Sequence, residues 1–370
     1  MNPLRLGIIG MGNMGAVHAR HVLDGKVSRV RLAAVCDRHA QKTAPFAPAK
    51  AFTNADALLA SGEVDAVLIA TPHFDHTAAG IAALQAGMHV LVEKPISVHK
   101  ADALRLLAAH TNPRQIFAVM FNQRTDPRYR RVRQLIQSGE LGALRRINWT
   151  ITDWFRTQAY YGSGGWRATW AGEGGGVLLN QSPHQLDLWW WLFGLPARVR
   201  ASCQFGRFHK IEVEDSVTAL LEYADGAQGV FITTTGEAPG TNRLEIAADR
   251  GKIIVEGLAV KWTRTDSSVA EWCAKHPKGF EAPPTTPREV TFDNTGGQHV
   301  EILQNFVDAI LDGQALIAPA AEGLHSIELA NAMLHSTFTN APVTLPLDAA
   351  AYAAELQKKI ATHSPIPPPK

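Results

Sequence analysis

From Leu4 to about residue 122, apolar residues come in short unbroken runs separated by stretches with helical spacing. The runs Leu4–Ile9, Arg31–Cys36, Ala66–Ala70, His89–Val92 and Ile116–Phe121 do not alternate with polar residues. Strands read this way when helices cover both faces of a parallel sheet. Between them, Thr77–Ala86 and Ala101–Ala109 have the period of helices. Repeated strand–helix units predict a doubly wound sheet.

Beyond residue 122 the pattern changes. Arg128–Gln137 reads as a basic helix stopped by Gly139 and Gly142, and Leu144–Ile151 alternates like a strand with one wet face. A glycine-rich stretch, Gly162–Gly176, leads into a predicted helix at Ser182–Phe193. Period-two segments follow at Val199–Phe205, Val217–Tyr223, Gly229–Thr234, Leu244–Ala248 and Lys252–Val255, with turn signals at Ala224-Asp225-Gly226 and Asp249-Arg250-Gly251. Lys278–Gln298 reads as a long loop holding one strand, Glu289–Phe292. Helices at Val300–Leu311 and Leu324–Phe338 close the chain before a Pro-rich, loose tail, Ser364–Lys370. The expected fold is α/β: a doubly wound parallel domain over 1–122, then an α+β domain over 123–370 with a large, mostly antiparallel open sheet. That sheet must cover its second face. Either copies associate across it as a homodimer or homotetramer, or polar side chains solvate it.

Composition narrows the classes. A chain of 370 residues suits two domains. A net charge of +2 gives no basic footprint for nucleic acid. No run is long and apolar enough for a membrane span. With the first strand starting at Leu4 and no apolar leader ahead of it, the expected location is cytoplasmic. Cys36, Cys203 and Cys273 are too far apart for a paired metal or disulfide motif.

The candidate chemistry starts at Gly10-Met11-Gly12-Asn13-Met14-Gly15, between the first strand and a helix. In that context G-x-G-x-x-G is the dinucleotide fingerprint of a Rossmann domain. Gly10 allows the tight turn, Gly12 admits a pyrophosphate, and Gly15 lets helix and strand pack. Asn13 and Met14 open the helix, whose free N–H groups face the phosphates. Asp37 ends the second strand about 20 residues on, where a ribose-binding carboxylate belongs. It favours NAD by repelling a 2′-phosphate, although Arg38 beside it leaves NADP open. Lys94, in Val92-Glu93-Lys94-Pro95, ends the fourth strand. Pro95 keeps Lys94 extended, so its side chain is expected in the crevice outside the strand ends. A solvated surface Lys is the plainer reading of those residues alone. His73-Phe74-Asp75-His76 has the residue types of a metal site, but Asp75 is read as a helix N-cap and no metal is expected. His73 and His76 are expected to line the cofactor cleft.

Gly10-x-Gly12-x-x-Gly15, Ala70-Thr71-Pro72, Glu93-Lys94-Pro95 and Gly174-Gly175-Gly176-Val177-Leu178-Leu179-Asn180-Gln181-Ser182-Pro183-His184-Gln185-Leu186-Asp187 occur in this order. Together they resemble the Gfo/Idh/MocA family of sugar and polyol oxidoreductases. The resemblance covers nearly the whole chain. It implies a nicotinamide cofactor held in part by Thr71, Pro72, Glu93 and Asn122, and catalysis by Lys94 and His184. The chain departs from the commoner family pattern at Asn180, where Asp is usual, and at Ser182, where Gly is usual. Asn180 can orient a hydroxyl or carbonyl but cannot carry a proton, so proton handling falls to His184 and Lys94. A His titrates near neutrality and suits removal of a hydroxyl proton, and a Lys ammonium suits stabilisation of the alkoxide. Asp187, at i+3 from His184, either orients the imidazole or compensates helix charge.

Trp154-Phe155-Arg156, Tyr160-Tyr161, Trp166-Arg167 and Trp170 cluster ahead of that helix. Stacking aromatics and Arg donors suit a sugar, and packing between domains accounts for them equally well. The resemblance adds Arg124 on the substrate side, while Trp189, Trp190 and Trp191 read as core or interface. The leading expectation is an NAD(P)-dependent dehydrogenase of a sugar, glycoside or polyol. Its alternatives are a glycosidase that keeps NAD and oxidises its sugar transiently, and a dinucleotide-sensing protein without catalysis.

Overall fold

The computed structural model describes residues 2–163 and 165–362. The tail expected at Ser364–Lys370 lies outside the described residues.

The first sheet takes shape as the unbroken apolar runs predict. β1 (Leu4–Ile9) leads through a turn into α1 (Asn13–Leu23), then β2 (Val30–Cys36), β3 (Lys50–Phe52), α2 (Ala55–Leu59), β4 (Ala66–Ile69), α3 (His73–Gln85), β5 (His89–Val92), α4 (Lys100–Ala108) and β6 (Phe117–Val119). The strands pair in parallel in the order β3-β2-β1-β4-β5-β6. The order reverses beside β1, so the crevice where ligands bind such sheets opens between the carboxyl ends of β1 and β4. Strand β3, short and half exposed, carried too few apolar residues to be read from the sequence.

α5 (Pro127–Gln137) starts with Pro127 behind Asp126, whose carboxylate accepts the Arg128 N–H, and stops before Gly139 at a φ of 73°. β7 (Leu144–Ile151) follows. The glycine-rich stretch holds α6 (Gln158–Tyr161) and α7 (Val177–Asn180), and then α8 (Pro183–Phe193). The single helix expected from Ser182 is therefore α8 preceded by a separate turn of helix, broken at Gln181-Ser182 ahead of Pro183. β8 (Arg198–Phe205), β9 (Glu214–Glu222), β10 (Gln228–Thr234), β11 (Asn242–Ala248), β12 (Gly251–Glu256), β13 (Ala259–Thr265), α9 (Val269–Lys275), β14 (Thr285–Thr291), α10 (Gln298–Asp312), α11 (Gly323–Thr339), β15 (Val343–Thr344) and α12 (Ala349–Thr362) complete the described residues. The sequence reading lacked β13, β15, α9 and α12, and it began the edge strand β14 too late.

The second sheet has nine strands in the order β14-β13-β12-β11-β7-β10-β9-β8-β15. It is antiparallel except for the parallel pair β7–β10. Its inner face buries Ile147, Trp149, Phe231, Leu221, Leu244 and Ile246. Gly229 leaves room there for Trp189, whose ring would sit 2.5 Å from a Cβ at that position. The outer face carries cross-strand ion pairs, among them Arg146–Glu245 at 2.5 Å and Arg243–Glu256 at 2.8 Å. Lys100 joins the two sheets' layers: its ammonium donates to Glu328 at 2.6 Å and to the Leu347 carbonyl at 2.8 Å. No helix among the described residues is long and apolar enough to cross a membrane.

Candidate active site

A cleft of about 1190 Å³ opens at the carboxyl ends of the parallel strands. Its outer part is built from backbone. A Cβ on Gly10 would lie 2.7 Å from the Ala70 carbonyl group, and one on Gly15 would lie 1.9 Å from the Gly10 oxygen. Gly10 also takes a φ of 94°. Gly12 is different: a Cβ there meets nothing within 4 Å among the described residues. No side chain caps α1, which leaves its first N–H groups directed at the cleft. Asp37 is fixed as an acceptor, taking the N–H of Met11 at 2.9 Å through one oxygen and that of His39 at 2.9 Å through the other. This uncapped helix end, open glycine and oriented carboxylate fit a dinucleotide.

Gly10, Gly12, Asn13, Met14, Asp37, Arg38, Thr71, Pro72, His73, His76, Glu93 and Lys94 line this cleft, and Gly15 lies directly behind it. Asp75 is not an N-cap. Pro72 occupies that position on α3, and the Asp75 carboxylate instead pairs with Arg38 at 3.0 Å. The His76 ring bridges the Pro95 and Thr71 carbonyls at 2.8 and 2.9 Å. Burial lowers the affinity of His73 and His76 for a proton, so both stay neutral near pH 7.

Deeper in the cleft the wall is made of side chains. The Lys94 ammonium donates to the Asn180 main-chain carbonyl at 2.7 Å. Its pKa falls below the usual lysine value, first through burial and then through Arg167 and Arg156, while Glu93 and Glu173 oppose the fall. Glu93 accepts from His18 at 2.7 Å; burial pushes its carboxyl up, but His18 more than offsets this and holds it at about 2. His184 is buried and lies outside the cleft lining, behind this wall; it is held neutral, well below the usual histidine value, by burial first and then by Lys94 and His299. Its Nδ1 is buried with no hydrogen-bond partner among the described residues.

Tyr160 is the hub of the opposite side. Its hydroxyl accepts from Arg167 at 2.8 Å and from Gln181 at 3.1 Å, and donates to the Asn180 Oδ1 at 3.3 Å. Arg156 and Arg167 lie over its ring at 5.0 and 4.7 Å. Trp166, Arg167 and Asn180 line the cleft. Trp154, Arg156 and Tyr161 do not: Tyr161 is buried with its hydroxyl 2.7 Å from Thr235, the Trp154 indole N–H is buried in packing, and Arg156 donates to the Phe155 carbonyl.

Arg124 and Asp187 are turned away from the cleft. Their side chains, 0% and 1% exposed, pair at 2.6 Å, and Glu322 takes a further Arg124 nitrogen. Asp187 therefore neither orients His184 nor offsets helix charge. One helical step past His184 faces the inner cluster of Phe121, Trp190 and Trp191 that surrounds the Arg124 guanidinium. Asn122 lies outside the cleft lining and donates to Gln298 at 2.6 Å. Tyr160 belongs to the aromatic cluster expected from the sequence, and Glu173 is the residue that sequence reasoning missed. Glu173 stands directly before the glycine triplet, and its burial there had no signature in the pattern of the chain.

Residues 4–121 match the oxidoreductase family with an NAD-binding Rossmann fold, and residues 129–254 match the GFO/IDH/MocA C-terminal domain. The chain is 35% identical to inositol 2-dehydrogenase of Corynebacterium glutamicum over 146 residues, which are 38% of this chain and 43% of that protein. The chain thus spans less than half the length of that relative. The rhizopine catabolism protein MocA of Rhizobium meliloti is 31% identical over 247 residues, 65% of this chain and 74% of that protein. Among solved structures, the WlbA dehydrogenase of Bordetella pertussis, in complex with NADH and UDP-GlcNAcA, superposes with a TM-score of 0.78. It is 26% identical, covering 94% of this chain and 100% of its own.

Proposed function

The chain belongs to the Gfo/Idh/MocA oxidoreductases and carries their NAD-binding Rossmann domain, and from that premise we propose that it oxidises a secondary alcohol of a sugar, glycoside or polyol. The observation that carries this reading is the inner end of the cleft, where a half-buried Lys94 is tethered to Asn180 and lies within electrostatic reach of a neutral His184. The first N–H groups of α1 and Asp37 would hold the dinucleotide, and Thr71, Pro72 and Lys94 would border its reactive end. When bound, the nicotinamide supplies the hydride acceptor. The chain's own residues handle the proton. Neutral His184 accepts it from the substrate hydroxyl, which a charged imidazolium could not do. The Lys94 ammonium donates to the same oxygen as negative charge develops there, and the Asn180 carbonyl keeps that ammonium aimed. Asn180 itself only orients, because its amide does not titrate. Arg167, Trp166 and Tyr160 offer donors and flat faces for the remaining hydroxyls.

Asp37 favours NAD over NADP, since Arg38 is already paired with Asp75. The same reading includes a cytoplasmic protein whose copies associate across the outer face of the nine-stranded sheet, which light scattering of the purified chain tests.

The deciding experiment is a screen of inositols, sugars and glycosides with NAD and NADP, following absorbance of the reduced nicotinamide. A free polyol giving net NADH is the expected result, with turnover falling about a thousandfold or more in Lys94→Ala and His184→Ala combined. Activity kept in that double variant overturns the assignment. Release of an aglycone without net NADH replaces it with transient oxidation in a glycosidase.

A further inference from the structure

The wall opposite Lys94 holds a carboxylate that the reaction above leaves unused. Glu173 is 1% exposed. One of its oxygens accepts the Ala168 N–H at 2.8 Å, the other accepts the Asn180 side-chain amide, and the Arg167 guanidinium lies at 4.0 Å. Its main chain is anchored too, with its carbonyl facing the His73 Nδ1 at 3.3 Å.

Two roles fit such a residue. As a turn-builder, Glu173 ties down Ala168, which takes a φ of 62° that a residue with a Cβ adopts only when held. That role needs an acceptor but no charge. The neighbours argue for charge. Lys94, Arg167 and, farther out, Arg156 crowd this end of the cleft, while Glu93 is already engaged by His18. A buried carboxylate without cationic neighbours is costly, and here cations face it. The Asn180 amide nitrogen is spent on Glu173, which leaves its Oδ1 facing Tyr160. Asn180 itself carries no charge, so the carboxylate of this corner is that of Glu173.

We propose that Glu173 is a positioning residue of the reaction: its carboxylate fixes the orientation of the Asn180 amide and supplies the negative charge facing Lys94 that position 180 lacks. This rests on the dehydrogenase reading for its consequence in turnover, but not for its effect on Lys94. Burial raises the Glu173 pKa while Ala168, Asn180, Arg167 and Lys94 favour its ionised form, and Glu173 in turn favours the charged form of Lys94. The other titratable groups of this wall are His73, Tyr161 and Glu214, and those facing Lys94 from the far side are Glu93 and His184.

The test uses the full-length protein with Glu173→Gln, which keeps an acceptor for Ala168 and removes the charge. Trace acetylation of Lys94 with acetic anhydride, read by mass spectrometry across pH, gives the midpoint of its titration without any turnover. In Glu173→Gln that midpoint drops by about one pH unit or more. With a substrate found by the screen, kcat falls about 10- to 100-fold and KM changes less. Adding Asn180→Asp to Glu173→Gln returns the charge and brings both quantities back toward wild type. An unshifted Lys94 midpoint, or a double variant no better than Glu173→Gln, overturns the proposal. If Glu173→Gln does not fold, the isosteric Asn180→Asp decides alone. Its new carboxylate beside Glu173 forms a pair that shares a proton, so the pH profile of kcat gains a titration well above the ordinary carboxylate range. A profile identical to wild type overturns the proposal as well. Normal turnover with an unshifted Lys94 removes only the role of Glu173, and a shifted Lys94 in a protein that oxidises nothing removes only the dehydrogenase reading.

Discussion

The two ends of the cleft are made differently. The outer end is backbone: glycines without Cβ atoms, an uncapped helix end and one oriented carboxylate. The inner end is side chains, with Lys94 against a hub of Tyr160, Arg167, Asn180 and Glu173 and a buried His184 within reach of its charge. A backbone site admits few residue types at few positions, because an added Cβ strikes a main-chain atom that cannot move. A side-chain site distributes its function over hydrogen bonds, and a partner can shift along the chain without losing the chemistry. The first kind of construction fixes a cofactor, and the second is where relatives with one fold can diverge in substrate.

The sharpest way to break this contrast is a single methyl group. Gly15→Ala places a Cβ 1.9 Å from the Gly10 oxygen, so the α1 entry has to move. The expected outcome is a loss of about 3 kcal/mol or more in unfolding free energy and no measurable NADH binding by fluorescence titration. Gly12→Ala meets nothing within 4 Å, so its Tm stays at the wild-type value while NADH affinity drops at least about 10-fold. Equal stability losses in the two variants contradict a cofactor end built by backbone contact.

Behind the inner end, Arg124 tests which of its charges are structural. Replacing Arg124 with Met leaves Asp187 buried without its partner and costs about 3–5 kcal/mol in denaturant unfolding. Adding Asp187→Leu recovers part of that loss, because two apolar groups do not leave a bare ion inside. A neutral effect of Arg124→Met on stability would return Arg124 to the substrate side.

These two regions were unequally legible in the sequence. Gly10, Gly12, Gly15, Asp37 and the strand-end Lys94 could be read because each sits at a fixed step from a strand end, where local sequence decides geometry. Asp187 was misread because its partner is Arg124, 63 residues away, and helical spacing says which face a residue takes but not what meets it. Asp75 was misread because Pro72 already occupied the cap. Glu173 was passed over for a similar reason: a hydrogen-bond hub forms only once a glycine-rich loop has closed, and such a loop has no period. The pairing of Lys100 with Glu328, across 228 residues, could not be read at all.

Around the inner end, two buried groups make stability respond to pH with opposite signs. Glu214 accepts the Gly176 and Leu178 N–H groups behind the reaction wall, and burial raises its pKa from 4.5 to about 7. The native state then holds a proton that the unfolded state releases, so this group weakens the fold as pH rises from 4.5 to 7, by about 3 kcal/mol in total. His299, near Lys94 and Glu93, is lowered from 6.5 to about 4, which has the opposite sign: its contribution is present above 6.5 and is lost as pH falls toward 4. Thermal unfolding of Glu214→Gln should gain stability relative to wild type as pH rises through this window. A constant difference at every pH would show that Glu214 is not titrating there.

The smallest expected effects belong to the rim of the cofactor end, where a carboxylate and a cation stand side by side. Asp37 is held by two N–H groups, so it is a pre-oriented acceptor for ribose hydroxyls. Asp37→Ala should weaken NAD about 10-fold, the worth of a hydrogen bond to a charged group, and narrow the preference for NAD over NADP. Arg38 is 78% exposed on its side chain and pairs with a half-exposed Asp75, an arrangement worth at most about 1 kcal/mol. Arg38→Ala should leave NAD kinetics within about 2-fold of wild type. The informative case is Asp75→Ala, which frees the Arg38 guanidinium at the cleft edge. If the pairing with Asp75 is what keeps Arg38 from a 2′-phosphate, Asp75→Ala lowers the KM for NADP and leaves that for NAD unchanged. If both KM values stay put, the discrimination lies in Asp37 alone, and the outer end selects its cofactor with the same residue that orients it.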